Sequence, residues 1–200
     1  MRHFTYICDN KTRMSTQQKI IDHAISVLNE NFSATLEDIA ARCEINRRTL
    51  HRYFKNRNEL LEACNKNMMQ TWEYAAIKVF SSTKDPLVQL EHLLYAGIDN
   101  GTKYSFLMKL NENQSITSNE KNLDHPEYHQ VRSQLFTAIQ QLQKEKIIDD
   151  QFPLPWIRIL FTNVINATLT AFRSGDIAPN DIKKLAWHSF SRGIGIPINR

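Results

Sequence analysis

Six cations crowd into residues 42–57: Arg42, Arg47, Arg48, Arg52, Lys55 and Arg57, against one acid, Glu44. A guanidinium offers a planar fork of donors that matches phosphate oxygens and the O6/N7 edge of guanine. Asn46, Thr49, His51 and Tyr53 are interleaved among these cations. Such short polar and ring donors reach phosphates, and a threonine also touches a thymine methyl group. A local excess of this kind is the footprint of a polyanionic partner. The plain alternative is a solvated basic helix face, and the elements that carry the residues decide between the two.

Helical periodicity dominates the chain, and neither alternating strand patterns nor glycine-rich hairpin signals occur. Ser15-Thr16-Gln17-Gln18 reads as a capping box in which Gln18 reaches back to Ser15, opening a helix with Ile20, Ala24, Val27 and Leu28 on one face and ending near Phe32. Thr35 with Asp38 opens a short second helix from Leu36 to about Arg42. Asn46 caps a third from Arg47 to about Tyr53, and Asn56 with Glu59 starts a fourth. Ile39, Ala40, Cys43, Ile45 and Leu50 form the small core between the second and third helices. Tyr53 and Phe54 are half core. Arg47, Arg48, Thr49, His51 and Arg52 are left on the outer side. Two short helices with a tight break, the second rich in arginine, are the pattern of a helix-turn-helix that enters the major groove. His51 and Tyr53 are expected to donate to phosphates, Lys55 and Arg57 to lie along the strand backbone, and Thr35 and Asn46 to face the DNA at the helix starts.

Beyond this unit the fourth helix carries Leu61, Cys64, Met68, Trp72, Ala75 and Val79 at spacings of three and four, until Ser81-Ser82-Thr83-Lys84 breaks it. Asp85-Pro86 opens a helix to about Asp99, and Asn100-Gly101 is read as a turn into a shorter helix with Tyr104, Phe106, Leu107 and Leu110. A polar loop over 111–124 leads to a helix striped by Val131, Leu135, Ala138 and Leu142, closing over Lys144–Asp150. Pro153 and Pro155 introduce a helix through Ser174 that Gly175 stops in the left-handed conformation. Pro179 opens the last helix, with Ile182, Leu185, Ala186, Ser189 and Phe190 on one side, and Gly193 ends it. The total is about nine helices.

Composition narrows the class. Apolar residues make up 42% and charged residues 23% of 200, ample for a globular core. The net charge of +4 is concentrated in the first third, with 11 Lys and Arg against 8 Asp and Glu in residues 1–66. Three cysteines, Cys8, Cys43 and Cys64, make an odd set with no Cys-x-x-Cys pair, which points to a reducing compartment. The most apolar stretch, Trp156 to Phe172, holds Arg158, Asn163 and Asn166 and is no membrane span. Residues 1–14 lack the apolar centre of a signal peptide and read as a disordered extension, with Met14 a natural start.

The run from Ser15 to about Cys64 resembles the N-terminal domain of the TetR family of transcriptional regulators. Thr35, Asp38-Ile39-Ala40, Ile45-Asn46, Thr49-Leu50, Tyr53-Phe54 and Arg57-Asn58-Glu59-Leu60-Leu61 follow its signature in order and spacing. The resemblance implies an all-α chain. A three-helix DNA-binding domain (15–60) precedes a larger helical bundle (61–200) for effector binding and homodimerisation, working in the bacterial cytosol at the nucleoid. Its function would be that of a sequence-specific regulator, a repressor released from a palindromic operator on double-stranded DNA by a small molecule. Four positions depart from the pattern: Glu44 stands where the turn usually has glycine, Arg48 where a small residue is usual, His51 where a tyrosine is usual, and Arg57 where a lysine is usual. The last two long helices resemble the pair by which family members dimerise.

In the larger domain, Trp72, His92, Tyr95, Phe106, Phe136, Trp156 and Phe161 are the candidate effector-lining residues. Val164, Ala167, Thr168, Ala171, Leu185, Ala186 and Ser189 are the candidate dimer faces, small enough for close helix crossing. A chain of the same fold that is ligand-independent or partner-regulated is the alternative. An enzyme finds little support. His125 and His129 have no evident third metal ligand, Gly193-Ile194-Gly195 has no flanking strand, and no nucleophile–base arrangement stands out. No cofactor or resident metal is expected.

Overall fold

The computed structural model describes residues 15–103, 105 and 126–197, with the side chains of 126–130 and 132 left aside. Every regular element among them is helical. Eight helices follow in order: α1 (Thr16–Glu30), α2 (Leu36–Arg42), α3 (Arg47–Tyr53), α4 (Arg57–Ser82), α5 (Pro86–Lys103), α6 (Pro126–Lys144), α7 (Leu154–Ser174) and α8 (Pro179–Gly193). The expected helix around Phe106–Leu110, the loop over 111–124, the 1–14 extension and the His125/His129 pair lie outside the described side chains. The chain forms two compact units, one ending at Cys64 and the next beginning at Asn65. Helix α4 runs unbroken through that boundary.

The helix starts follow their caps. Thr35 and Asp38 make a complete capping box on α2, with both reciprocal bonds present. Asn46 accepts from Thr49 N at 2.7 Å and Asn56 from Glu59 N at 2.9 Å, satisfying amide groups that a helix start would leave unbonded. On α1 only half the expected box forms. Ser15 accepts from Gln18 N, but the Gln18 amide turns forward to Asp22 Oδ1 at 3.1 Å, because an i,i+4 carboxylate is the stronger acceptor.

The first unit gathers α1, α2, α3 and the start of α4 around one core. Ile20, Ala24, Ile25 and Leu28 of α1 close over Ile39 and Ala40 of α2, Leu50 of α3, Phe54, and Leu60 and Cys64 of α4. All are almost completely buried. Burial pushes the Cys64 thiol up to about 12, with the Asp22 carboxylate adding to the shift.

The second unit packs α5 against α6, α7 and α8, and α7 along α8. Its core holds Leu90, Leu94, Ile98, Ile139, Leu142, Ile157 and Phe190. Helix α5 does not stop at Asp99 but continues through Asn100 and Gly101 to Lys103. The glycines there serve packing rather than a turn. Gly101 is buried, and a Cβ on Gly97 would sit 2.5 Å from Ile165 Cδ1 of α7. The Asn100 amide, free to initiate a turn, donates instead to Ala96 O within the helix. Gly175 ends α7 at φ +72° as expected. After α8, Gly195 is left-handed at φ +80°, and Ile194 O accepts from Asp149 N at 3.2 Å, tying the chain's end to the corner between α6 and α7.

Candidate nucleic-acid interface

Helix α3 is fixed from beneath by Leu50, fully buried, and from its C-terminus by Phe54. That anchoring leaves Arg47, Arg48 and Arg52 exposed and Thr49 and His51 half-buried beside them. The turn before α3 is carried by Glu44 at φ +56°, a left-handed conformation reached without glycine. Ile45 N then donates back to Ala40 O, closing the turn.

The cations divide into two groups. Arg48 is exposed on α3 and Lys55 on the segment after it, neither side chain in an ion pair among the described residues, although the Lys55 backbone N–H donates to Glu59 Oε2 at 2.7 Å. Arg52 is exposed as well, its guanidinium over the Tyr53 ring at 5.3 Å. The Tyr53 hydroxyl is held below its ordinary range by hydrogen bonds with Thr16 and Arg52. The other three are engaged within the protein. Arg42 pairs with Glu30 at 3.0 Å and Arg47 with Glu37 at 2.8 Å, both in solvent and therefore readily exchanged for a phosphate.

Arg57 departs from expectation. Its guanidinium does not lie along an open surface; it donates to the carbonyls of Phe32 and Ala34 and stacks over the Phe32 ring. It therefore braces the α1–α2 connection. Its partners lie 25 and 23 residues away in sequence, beyond the reach of local patterns.

His51 departs too. Its Nε2 accepts from Arg47 Nε at 3.2 Å and its Nδ1 lies 3.2 Å from Lys55 O. Both ring nitrogens are occupied, so the neutral ring has no N–H to spare for a phosphate. The Thr35 hydroxyl is spent on Asp38, whose carboxylate is held below the usual range by the Thr35 backbone N–H first and by that hydroxyl second. Asn46 is likewise engaged as a cap.

In the second unit the candidate effector residues do not form one environment. Trp72 is half-buried, and its ring lies 3.6 Å from where a Gly97 Cβ would stand. Phe161 is buried edge-on against Phe190 at 5.4 Å, as core packing. The Tyr95 hydroxyl donates to Glu91 at 2.6 Å, and its pKa is raised by burial and by that carboxylate. Phe136 is half-buried, His92 is exposed and Trp156 is 49% exposed. Phe106 lies outside the described residues.

The candidate dimer faces also separate. Thr168 and Ala186 are buried in their own protomer, the Thr168 hydroxyl donating to Ile165 O. Val164 and Ala171 are half-buried, and Ala167, Leu185 and Ser189 are exposed. On α8, Ile182, Ala186 and Phe190 point inward while Leu185 stands 49% exposed, so the five residues expected on one side occupy two. Ile159, 47% exposed on α7, was not anticipated; like Trp156 on the same helix and Leu185 on α8, it is a large apolar side chain left open to solvent.

Among the described residues no helix is long and apolar enough to cross a membrane. Residues 20–64 match the family of bacterial regulatory proteins, tetR family. The chain is 32% identical over 94 residues to the HTH-type transcriptional repressor LfrR of Mycolicibacterium smegmatis, a match covering 46% of this chain and 49%, about half, of that relative. The solved TetR-like regulator LfrR from Mycobacterium smegmatis, in complex with proflavine, superposes with a TM-score of 0.71 at 22% identity, over 90% of this chain and 96% of the other. The TetR family regulator PfmR from Thermus thermophilus gives 0.67 at 13% identity, over 94% and 100%. The structural likenesses speak for the fold, and the matched segment holds every residue of α2 and α3. What the match establishes is a domain of the bacterial regulatory proteins, tetR family, over residues 20–64.

Proposed function

We propose that the protein is a transcriptional repressor that binds a palindromic DNA operator as a homodimer and leaves it when a small molecule binds the second unit. The observation that carries this reading is α3: Leu50 and Phe54 anchor its inner side while Arg48, Arg52 and neighbouring Lys55 face solvent, their side chains in no ion pair among the described residues. Base readout falls to Arg47, Arg48 and Thr49, and phosphate contact to Arg52, Tyr53 and Lys55. Two copies must present α3 about 34–36 Å apart to enter successive major grooves. The exposed apolar side chains Trp156 and Ile159 on α7 and Leu185 on α8 are surface that a second copy would cover.

Helix α4 begins in the DNA-binding unit and carries Trp72 in the second, so a ligand at Trp72 bears on both through one element. The proflavine held by LfrR supports a small organic effector as the ligand class. A coupling of about 1–3 kcal/mol between ligand and DNA suffices for release. Selection of bound fragments from random double-stranded DNA, with and without candidate ligands, tests the whole reading. A motif that is palindromic and lost on ligand addition is expected. A motif indifferent to every ligand favours the ligand-independent alternative, and no motif at all ends the operator reading.

A further inference from the structure

Arg47 is held at two points before any DNA arrives. Its Nη1 meets Glu37 Oε1 of α2 at 2.8 Å and its Nε donates to His51 Nε2, one turn along α3, at 3.2 Å. An arginine nitrogen can only donate, so Nε2 must carry a lone pair. The other ring nitrogen, Nδ1, faces Lys55 O at 3.2 Å, and a carbonyl can only accept, so Nδ1 must carry the hydrogen. The two contacts demand one and the same state of the ring: neutral, with the hydrogen on Nδ1. Lys55 O thus sets the tautomer, the tautomer supplies the acceptor, and the acceptor fixes the guanidinium.

We infer that His51 is a positioning residue for Arg47, holding its guanidinium by the Nε edge so that the terminal amino groups are presented to a guanine in the operator half-site. This rests on the operator reading above. With Nε committed to His51, the edge left for O6 and N7 is the Nη1/Nη2 end once Glu37 yields its solvent-exposed bond. Arginine side chains lose considerable rotamer freedom when they bind, and a guanidinium already held at one edge loses less. His51 does this without touching DNA, which distinguishes it from a phosphate donor.

Two substitutions separate positioning from bulk. His51→Phe keeps the ring and removes both nitrogens; His51→Gln brings an amide oxygen to the place of Nε2. Motifs are selected from random double-stranded DNA by the full-length protein and its variants. Arg47→Ala is expected to erase the preference for guanine at one half-site position, about tenfold or more. His51→Phe is expected to weaken the preference at that same position by about fivefold or more, with His51→Gln recovering most of it and no added loss in the Arg47→Ala background. A residue serving only as packing would give the opposite order, Phe mild and Gln severe, and would overturn the inference. So would a uniform loss across all sequences.

A second measurement needs no DNA. Nitrogen chemical shifts of the His51 ring in the free, folded protein at neutral pH, assigned by their loss in His51→Gln, are expected to show hydrogen on Nδ1. Hydrogen on Nε2 overturns the lock whatever the DNA experiment returns. A wild type that selects no motif removes the operator reading and the guanine contact together, while the ring signal still decides whether His51 holds Arg47.

Discussion

Arg57 and Phe32 form a unit: the guanidinium lies over the ring at 5.0 Å and donates to the carbonyl of the same residue. Ala34 O receives a second donor at 3.3 Å. A lysine cannot reproduce a planar group that stacks and forks at once. Arg57→Lys is therefore expected to cost about 1–2 kcal/mol in urea denaturation. In Arg57→Ala, which removes the charge, the salt dependence of DNA binding should stay unchanged, because Arg57 is spent inside the unit. A salt slope reduced by about one would return it to the phosphate contacts.

Arg48 behaves oppositely. It is exposed and bears no part of the core, so Arg48→Ala should leave the unfolding midpoint unchanged. Operator binding measured by fluorescence anisotropy should fall by about 1–3 kcal/mol if it reads a base. Equal losses on operator and unrelated DNA would assign it to the backbone instead.

Glu44 occupies the helix-turn-helix turn at φ +56° with a side chain that disfavours that conformation. Glu44→Gly relieves the steric cost but frees the unfolded chain, and the balance is a gain of about 0.5 kcal/mol. A small rise in the melting temperature of the first unit, with DNA affinity retained, is the expected result. A fall would mean that the Glu44 side chain contributes a bond of its own.

Burial, with the Asp22 carboxylate adding to it, pushes the Cys64 thiol up to about 12 from an ordinary value of 9.0. The raised native value makes its contribution complete below pH 9.0, with stability declining as pH rises toward 12. Cys64→Ala should flatten that alkaline limb in pH-dependent denaturation. An unchanged limb would place the titration elsewhere.

Ile159→Asp and Leu185→Asp place charge at exposed apolar positions of α7 and α8, both about half exposed. Sedimentation of the wild type at micromolar concentration should give a dimer and that of each variant a monomer, with helix content preserved. A dimer that survives both changes would move the interface away from these positions.

The helix starts of the first unit were legible because each cap is settled within four residues: Thr35 with Asp38, Asn46 with Thr49, Asn56 with Glu59. Gly175 was legible for the same reason. What failed needed distance. Nothing near Arg57 in sequence announces the Phe32 carbonyl, and nothing near Gly97 announces Ile165 lying against it. The two faces of α8 were merged because Leu185 and Ala186 are neighbours in a helix rich in small and apolar residues, and only the packing of α7 and α5 tells them apart. The outward arginines of α3 were expected from composition, whereas the use of both His51 nitrogens was not, since an i,i+4 arginine is as often a bystander as a partner.

The bond from Asp149 N to Ile194 O closes 46 residues, two helices and their link, into a loop stapled at its mouth. Glycine is required there: at φ +80°, a Cβ on Gly195 would stand 2.7 Å from that of Asp149. The amide hydrogen of Asp149 thereby becomes a gauge of whether the final helix is seated. Its exchange with deuterium should quicken whenever α8 peels away, long before the whole unit opens.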